Sequence, residues 1–123
     1  MDKKILIIDD SATIRQQVRN ALVGAGFEIV EAADGVEGLE VITERNDLAA
    51  VLCDVNMPRM GGLQMLELVK AKGRLETLPV VMLTTEGQPK LVQQAKAVGA
   101  RAWIVKPFKA DQLVATMRKL TVA

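Results

Sequence analysis

Four consecutive aliphatic side chains, Ile5-Leu6-Ile7-Ile8, run straight into two carboxylates, Asp9 and Asp10, and no other feature restricts the fold so sharply. An apolar run without alternation predicts a strand buried on both faces, as in the interior of a parallel sheet. Such a sheet needs crossover connections and helices on both sides. In open α/β sheets, ligands gather beyond the carboxyl ends of the strands, where the two aspartates stand. Taken alone, the pair has two readings. Asp9, Asp10 or Ser11 could cap the following helix, or the aspartates could belong to a metal and phosphate site.

The rest of the chain repeats the pattern. Ile14, Val18, Ala21 and Leu22 fall at helical spacing and stop at Gly24-Ala25-Gly26. Phe27 to Ala32 reads as a short strand. Asp34-Gly35-Val36-Glu37 has the form of a capping box, opening a helix with Val36, Leu39 and Ile42 inside. Leu48 to Cys53 is apolar and ends at Asp54; residues 56–62 then read as loop. Leu63, Leu66 and Val69 mark a third helix, running out near Gly73. Pro79 to Thr84 predicts a fourth strand, Thr85 to Pro89 a polar loop, and Val92, Ala95 and Val98 a helix stopped by Gly99. Ala102 to Val105 and a stripe of Leu113, Val114, Met117 and Leu120 complete five strands alternating with five helices. We expect a doubly wound (βα)5 flavodoxin-like fold, with a five-stranded parallel sheet of order 2-1-3-4-5 and helices on both faces.

Composition removes several functions. With 123 residues, half of them hydrophobic, the expectation is a single domain spanning 1–123 with no output domain. There is no histidine, so histidine-based catalysis, the usual zinc sites and phosphohistidine chemistry on this chain are excluded. The lone Cys53, in an apolar strand, reads as a core side chain and suits a reducing, cytoplasmic setting. No apolar run is long enough to insert into a membrane. Charge is split: residues 1–63 hold 6 basic and 11 acidic side chains, residues 64–123 hold 10 and 4. No dense basic stripe suggests direct DNA binding.

In the expected strand order one crevice collects Asp9 and Asp10 after strand one, Asp54 after strand three, Thr84 and Thr85 after strand four, and Lys106-Pro107 after strand five. Each has an ordinary explanation alone: cap, loop opener, β-former, snorkelling lysine. Together, three carboxylates repel one another unless a hard cation joins them, and Mg²⁺ suits oxygen ligands that leave room for water. The lysine and the hydroxyl would then face an anion sharing that ion.

These residues resemble the receiver domain of two-component response regulators, closest in layout to the stand-alone chemotaxis regulators of the CheY type. The likeness covers residues 3–121 and rests on Asp9-Asp10, Asp54 before Met57-Pro58-x-Met60-Gly61-Gly62, Thr84, and Lys106-Pro107-Phe108. It implies a signalling phosphoacceptor, not an enzyme with independent turnover, that receives a phosphoryl group from a histidine kinase onto Asp54. It further implies Mg²⁺, with Mn²⁺ an acceptable substitute, on Asp10, Asp54 and the Asn56 carbonyl. Asp9 would act through water or by supporting the pair, and Lys106 and Thr84 would act on the phosphoryl group. Lys106–Pro107 would be a cis peptide, and Asn56 and Glu86 would tune hydrolysis.

Output, by the same resemblance, would pass from Thr84 to Trp103, where the family usually has tyrosine or phenylalanine. Around it, Lys90, Lys96 and Lys109, with Arg101, Arg118 and Lys119, would offer helix 4, strand 5 and helix 5 to an acidic-surfaced target. Other classes fit less well. No glycine-rich turn follows strand one, as a dinucleotide-binding enzyme requires, and no P-loop is present. An aspartyl-phosphate phosphatase would need a substrate-covering cap. A phosphorylation-independent binding module, or the receiver fragment of a longer regulator, remains a rival.

Overall fold

The computed structural model describes residues 3–85 and 89–121. Along them run β1 (Lys4–Ile8), α1 (Ala12–Gly24), β2 (Glu28–Ala32), α2 (Gly35–Glu44) and β3 (Leu48–Asp54). α3 (Gly62–Ala71), β4 (Val80–Thr85), α4 (Pro89–Val98), β5 (Ala102–Lys106) and α5 (Ala110–Leu120) follow. The strands form one parallel sheet in the order β2-β1-β3-β4-β5. The doubly wound fold expected from the sequence is the one observed.

β1 lies in the interior of the sheet, between β2 and β3, because none of its apolar side chains can face water: Ile5 through Ile8 are 0% exposed. Leu6 and Ile8 join Ile42, Met65, Leu66 and Ala95, so α2, α3 and α4 cover one face. Ile5 and Ile7 join Val18, Leu22, Leu113 and Met117, so α1 and α5 cover the other. Each large aliphatic side chain so buried contributes about 1.5–3 kcal/mol. Two boundaries differ from expectation. Thr85, expected in a loop, ends β4 because it still pairs with Lys106 of β5. Pro89, also expected in that loop, opens α4, where a missing N–H costs nothing.

The order sets β1 beside β3, and Ile8 pairs with Cys53. Asp9 and Asp54, each one residue further on, therefore emerge side by side. Behind them the β3–α3 connection folds back tightly. A Cβ on Gly62 would collide with the Asp54 carbonyl oxygen, and one on Gly35 would stand 2.5 Å from the Met60 carbonyl oxygen.

Candidate functional site

Asp9 is fully buried and every oxygen it has is used. Its Oδ1 accepts the Ser11 N–H at 2.9 Å, its Oδ2 accepts the Lys106 ammonium at 3.0 Å, and its carbonyl accepts Arg15 Nη1 at 2.6 Å. Lys106 Nζ also stands 3.3 Å from Asp54 Oδ1. Asp10 is exposed at the rim. One carboxylate oxygen from each of Asp9, Asp10 and Asp54 lies within 4.8 Å of the others. Neither Asp9 nor Asp10 caps α1. That role falls to Ser11, whose Oγ accepts the Ile14 N–H at 3.2 Å. The Lys106–Pro107 peptide is cis.

Burial pushes the Asp54 carboxyl above its ordinary value, and the charge of Asp9 adds to this; Lys106 and the Asn56 N–H oppose it without winning. Burial acts to lower Lys106, but its hydrogen bond to Asp9 and the charges of both aspartates outweigh that, and its pKa is raised. Three carboxylates against one ammonium leave two negative charges uncompensated. An all-oxygen donor set with that deficit fits a hard divalent cation. Cys53 does not compete: its thiol is buried, donates to the Asp54 carbonyl at 3.3 Å, and is pushed far up by burial and then by the charges of Asp54 and Asp9.

Thr84 ends up beside this cluster in sequence register but not in its hydrogen-bond network. It is 1% exposed, and its Oγ1 finds no partner among the described residues. Asn56, two residues beyond Asp54, is exposed. Glu86 lies outside the described residues. Trp103 and the lysines stand apart, on α4, β5 and the start of α5. Trp103 is 39% exposed, with Lys96 Nζ 5.7 Å from its ring centroid, and Lys90 and Lys109 are exposed.

Two sets of contacts had no counterpart in the sequence reading. Arg15 and Arg19, one helical turn apart on α1, both bind Glu31 of β2, with Arg15 Nε 3.1 Å from Oε1 and Arg19 Nη2 2.8 Å from Oε2. Arg59 binds Asp34. The four-residue spacing of the two arginines was a usable signal for a shared partner. For Arg59 the sequence held none.

Residues 5–118 match the response regulator receiver domain family. The chain is a response regulator receiver domain. The receiver is 40% identical over 106 residues to the chemotaxis protein CheY1 of Helicobacter pylori strain J99, covering 85% of this chain and 86% of that protein. It also matches the chemotaxis response regulator CheY4 of Vibrio cholerae, with a TM-score of 0.89 and 39% identity over 98% of this chain and 99% of that one. NtrX from Brucella abortus matches at a TM-score of 0.89 and 32% identity, over 98% of this chain but 27% of the longer one. Receivers of this family are phosphoacceptors that work with a histidine kinase, not enzymes with a substrate of their own. Among the described residues no helix is long and apolar enough to cross a membrane.

Proposed function

We propose that this receiver takes a phosphoryl group from a partner histidine kinase onto Asp54, with Mg²⁺ held by Asp10, Asp54 and the backbone carbonyl of Asn56. The observation that carries the reading is the convergence of three carboxylates within 4.8 Å, with Lys106 Nζ 3.3 Å from the Asp54 carboxylate. Asp54 is the member that combines burial, a raised pKa and a position at the end of a central strand. A carboxylate oxygen of Asp54 attacks phosphorus opposite the donor imidazole. The O–P bond forms as the N–P bond breaks, and the electron pair returns to the imidazole ring. Bound Mg²⁺ supplies charge neutralisation for the transferred oxygens. Lys106 swings its ammonium from the carboxylates to a phosphoryl oxygen, and Thr84 donates its hydroxyl to another. Asp9 holds Lys106 and the β1–α1 turn in place. Asn56 and Glu86 orient the water that later cleaves the Asp54 O–P bond.

In this reading phosphorylation changes the surface formed by α4, β5 and α5, where Trp103, Lys90, Lys96 and Lys109 meet an acidic target. Likeness to the chemotaxis proteins supports a cytoplasmic signalling role in chemotaxis or motility. The NtrX match supports a second reading, the receiver part of a longer regulator. Incubation with Mg²⁺ and acetyl phosphate, followed by intact-mass measurement and peptide localisation, tests the core of the proposal. One phosphoryl group on Asp54, lost in Asp54→Asn and in chelator, is expected; an adduct elsewhere would overturn the assignment.

A further inference from the structure

β2 sends no side chain into the metal cluster, yet the turn after it grips the loop that borders it. Asp34 is 7% exposed and caps α2 with both carboxylate oxygens engaged. Oδ1 accepts the Glu37 N–H at 2.9 Å, while Oδ2 accepts Arg59 Nε at 2.7 Å and lies 2.6 Å from Arg59 Nη2. Beside it the Gly35 N–H donates to the Met60 carbonyl at 3.2 Å. Arg59 has a φ of 63°, the left-handed value that side-chain-bearing residues rarely adopt. Backbone in that region persists where neighbouring contacts hold it there. Here those contacts come from a different βα unit, 25 residues away in sequence.

We propose that the Arg59–Asp34 ion pair is a positioning device for the phosphorylation site, locking the β3–α3 loop so that the Asn56 carbonyl stays aimed at the metal. The inference rests on the Mg²⁺ reading above. Asn56 and Arg59 sit three residues apart on one short loop, whose far end is closed by the Gly62 N–H to the Val55 carbonyl at 2.9 Å. The Asp34 end of the clamp is rigid, because it is a helix cap with little exposure. It also stays charged at neutral pH: the Glu37 N–H, and then Arg59, hold its carboxyl below the usual range. Arg59 is the substitutable end, its side chain 62% exposed. A loop that spends only part of its time in the binding conformation weakens apparent affinity by that fraction.

Calorimetric Mg²⁺ titration well below the unfolding temperature tests this with four variants. Arg59→Gly removes the fork while easing the left-handed backbone, and Asp34→Asn keeps the helix cap while removing the charge. Both should raise the Mg²⁺ dissociation constant about three- to tenfold, with the double variant no worse than either alone. In the metal-free protein, amide exchange at Gly35 should speed up in Arg59→Gly. Asp10→Asn is the control for the metal reading itself. If Asp10→Asn weakens binding while Arg59→Gly and Asp34→Asn bind as wild type does, the pair only stabilises the fold and the proposal is overturned. Additive losses in the double variant overturn it too. If Asp10→Asn also binds normally, the metal reading fails and takes the proposal with it. Should Arg59→Gly not fold, Asp34→Asn alone decides.

Discussion

Lys96 holds its ammonium 5.7 Å from the centre of the Trp103 ring, joining α4 to β5 across exposed surface. A cation over an indole face at an exposed site is worth about 0.5–1 kcal/mol. That is enough to move a two-state rotamer balance about two- to fivefold. Trp103 is the only tryptophan, so its emission reports this contact alone. We expect Lys96→Gln to raise the quenching of Trp103 by acrylamide. A beryllofluoride mimic with Mg²⁺ should change emission and quenching in wild type, not in Asp54→Asn, and less in Thr84→Ala. Constant wild-type emission with the mimic bound would make Trp103 a static residue.

Thr84→Val should separate stability from chemistry. The buried Oγ1 has no partner among the described residues, so exchanging it for a methyl removes an uncompensated polar group. Urea unfolding of the metal-free protein should show a gain of about 1 kcal/mol. The rate of phosphorylation by acetyl phosphate should fall about ten- to a hundredfold, the cost of one charge-assisted hydrogen bond. A variant both less stable and equally reactive would contradict both halves of this reading.

Acid should act on the site and on its supports with opposite signs. The Asp54 pKa is raised by burial, so the folded protein binds that proton more tightly than the unfolded chain does. In chelator, Asp54→Asn is therefore expected to be more stable than wild type at neutral pH, with the advantage fading as pH falls through the raised folded value and gone below the unfolded one. Glu31 is lowered by its bond to Arg19, outweighing burial, and Asp34 by the Glu37 N–H and then Arg59. Their contributions are present above the unfolded carboxylate values and disappear as pH falls through the lower folded ones. Urea midpoints across pH 2–7 for wild type, Asp54→Asn and Glu31→Gln check the signs; Glu31→Gln should show the shallower acid loss.

Gly62→Ala should disturb the site from behind. Its new methyl would meet the Asp54 carbonyl oxygen, a backbone atom that cannot swing aside. We expect a loss of about 1–3 kcal/mol in unfolding free energy and weaker Mg²⁺ binding. Wild-type values for both would show that the β3–α3 turn relaxes freely.

Periodicity and strand ends were enough to place Asp9, Asp10, Asp54 and Lys106 around one crevice, because both depend on local pattern and on sheet order. Strand burial was legible for the same reason: Ile5 to Ile8 admit no other environment. What escaped was side-chain pairing between units. Arg59 reaches Asp34 through a left-handed backbone inside a loop, and no spacing rule encodes that. Arg15 meets Glu31 and the Asp9 carbonyl only because sheet formation sets β2 and the end of β1 beneath α1. Thr85 and Pro89 were misplaced because polarity and proline mark a loop locally, whereas ladder pairing and helix N-terminal geometry decided the boundaries.

The burial of Cys53 has a consequence for signal fidelity. The chain's single thiol is covalently next to the proposed acceptor, where oxidation or alkylation would add bulk beneath Asp54. Full burial keeps reagents away, and the strongly raised pKa leaves essentially no thiolate to react at neutral pH. Cys53 is thereby insulated from oxidants: peroxide at levels that modify exposed cysteines leaves this thiol unmodified as long as β3 stays folded.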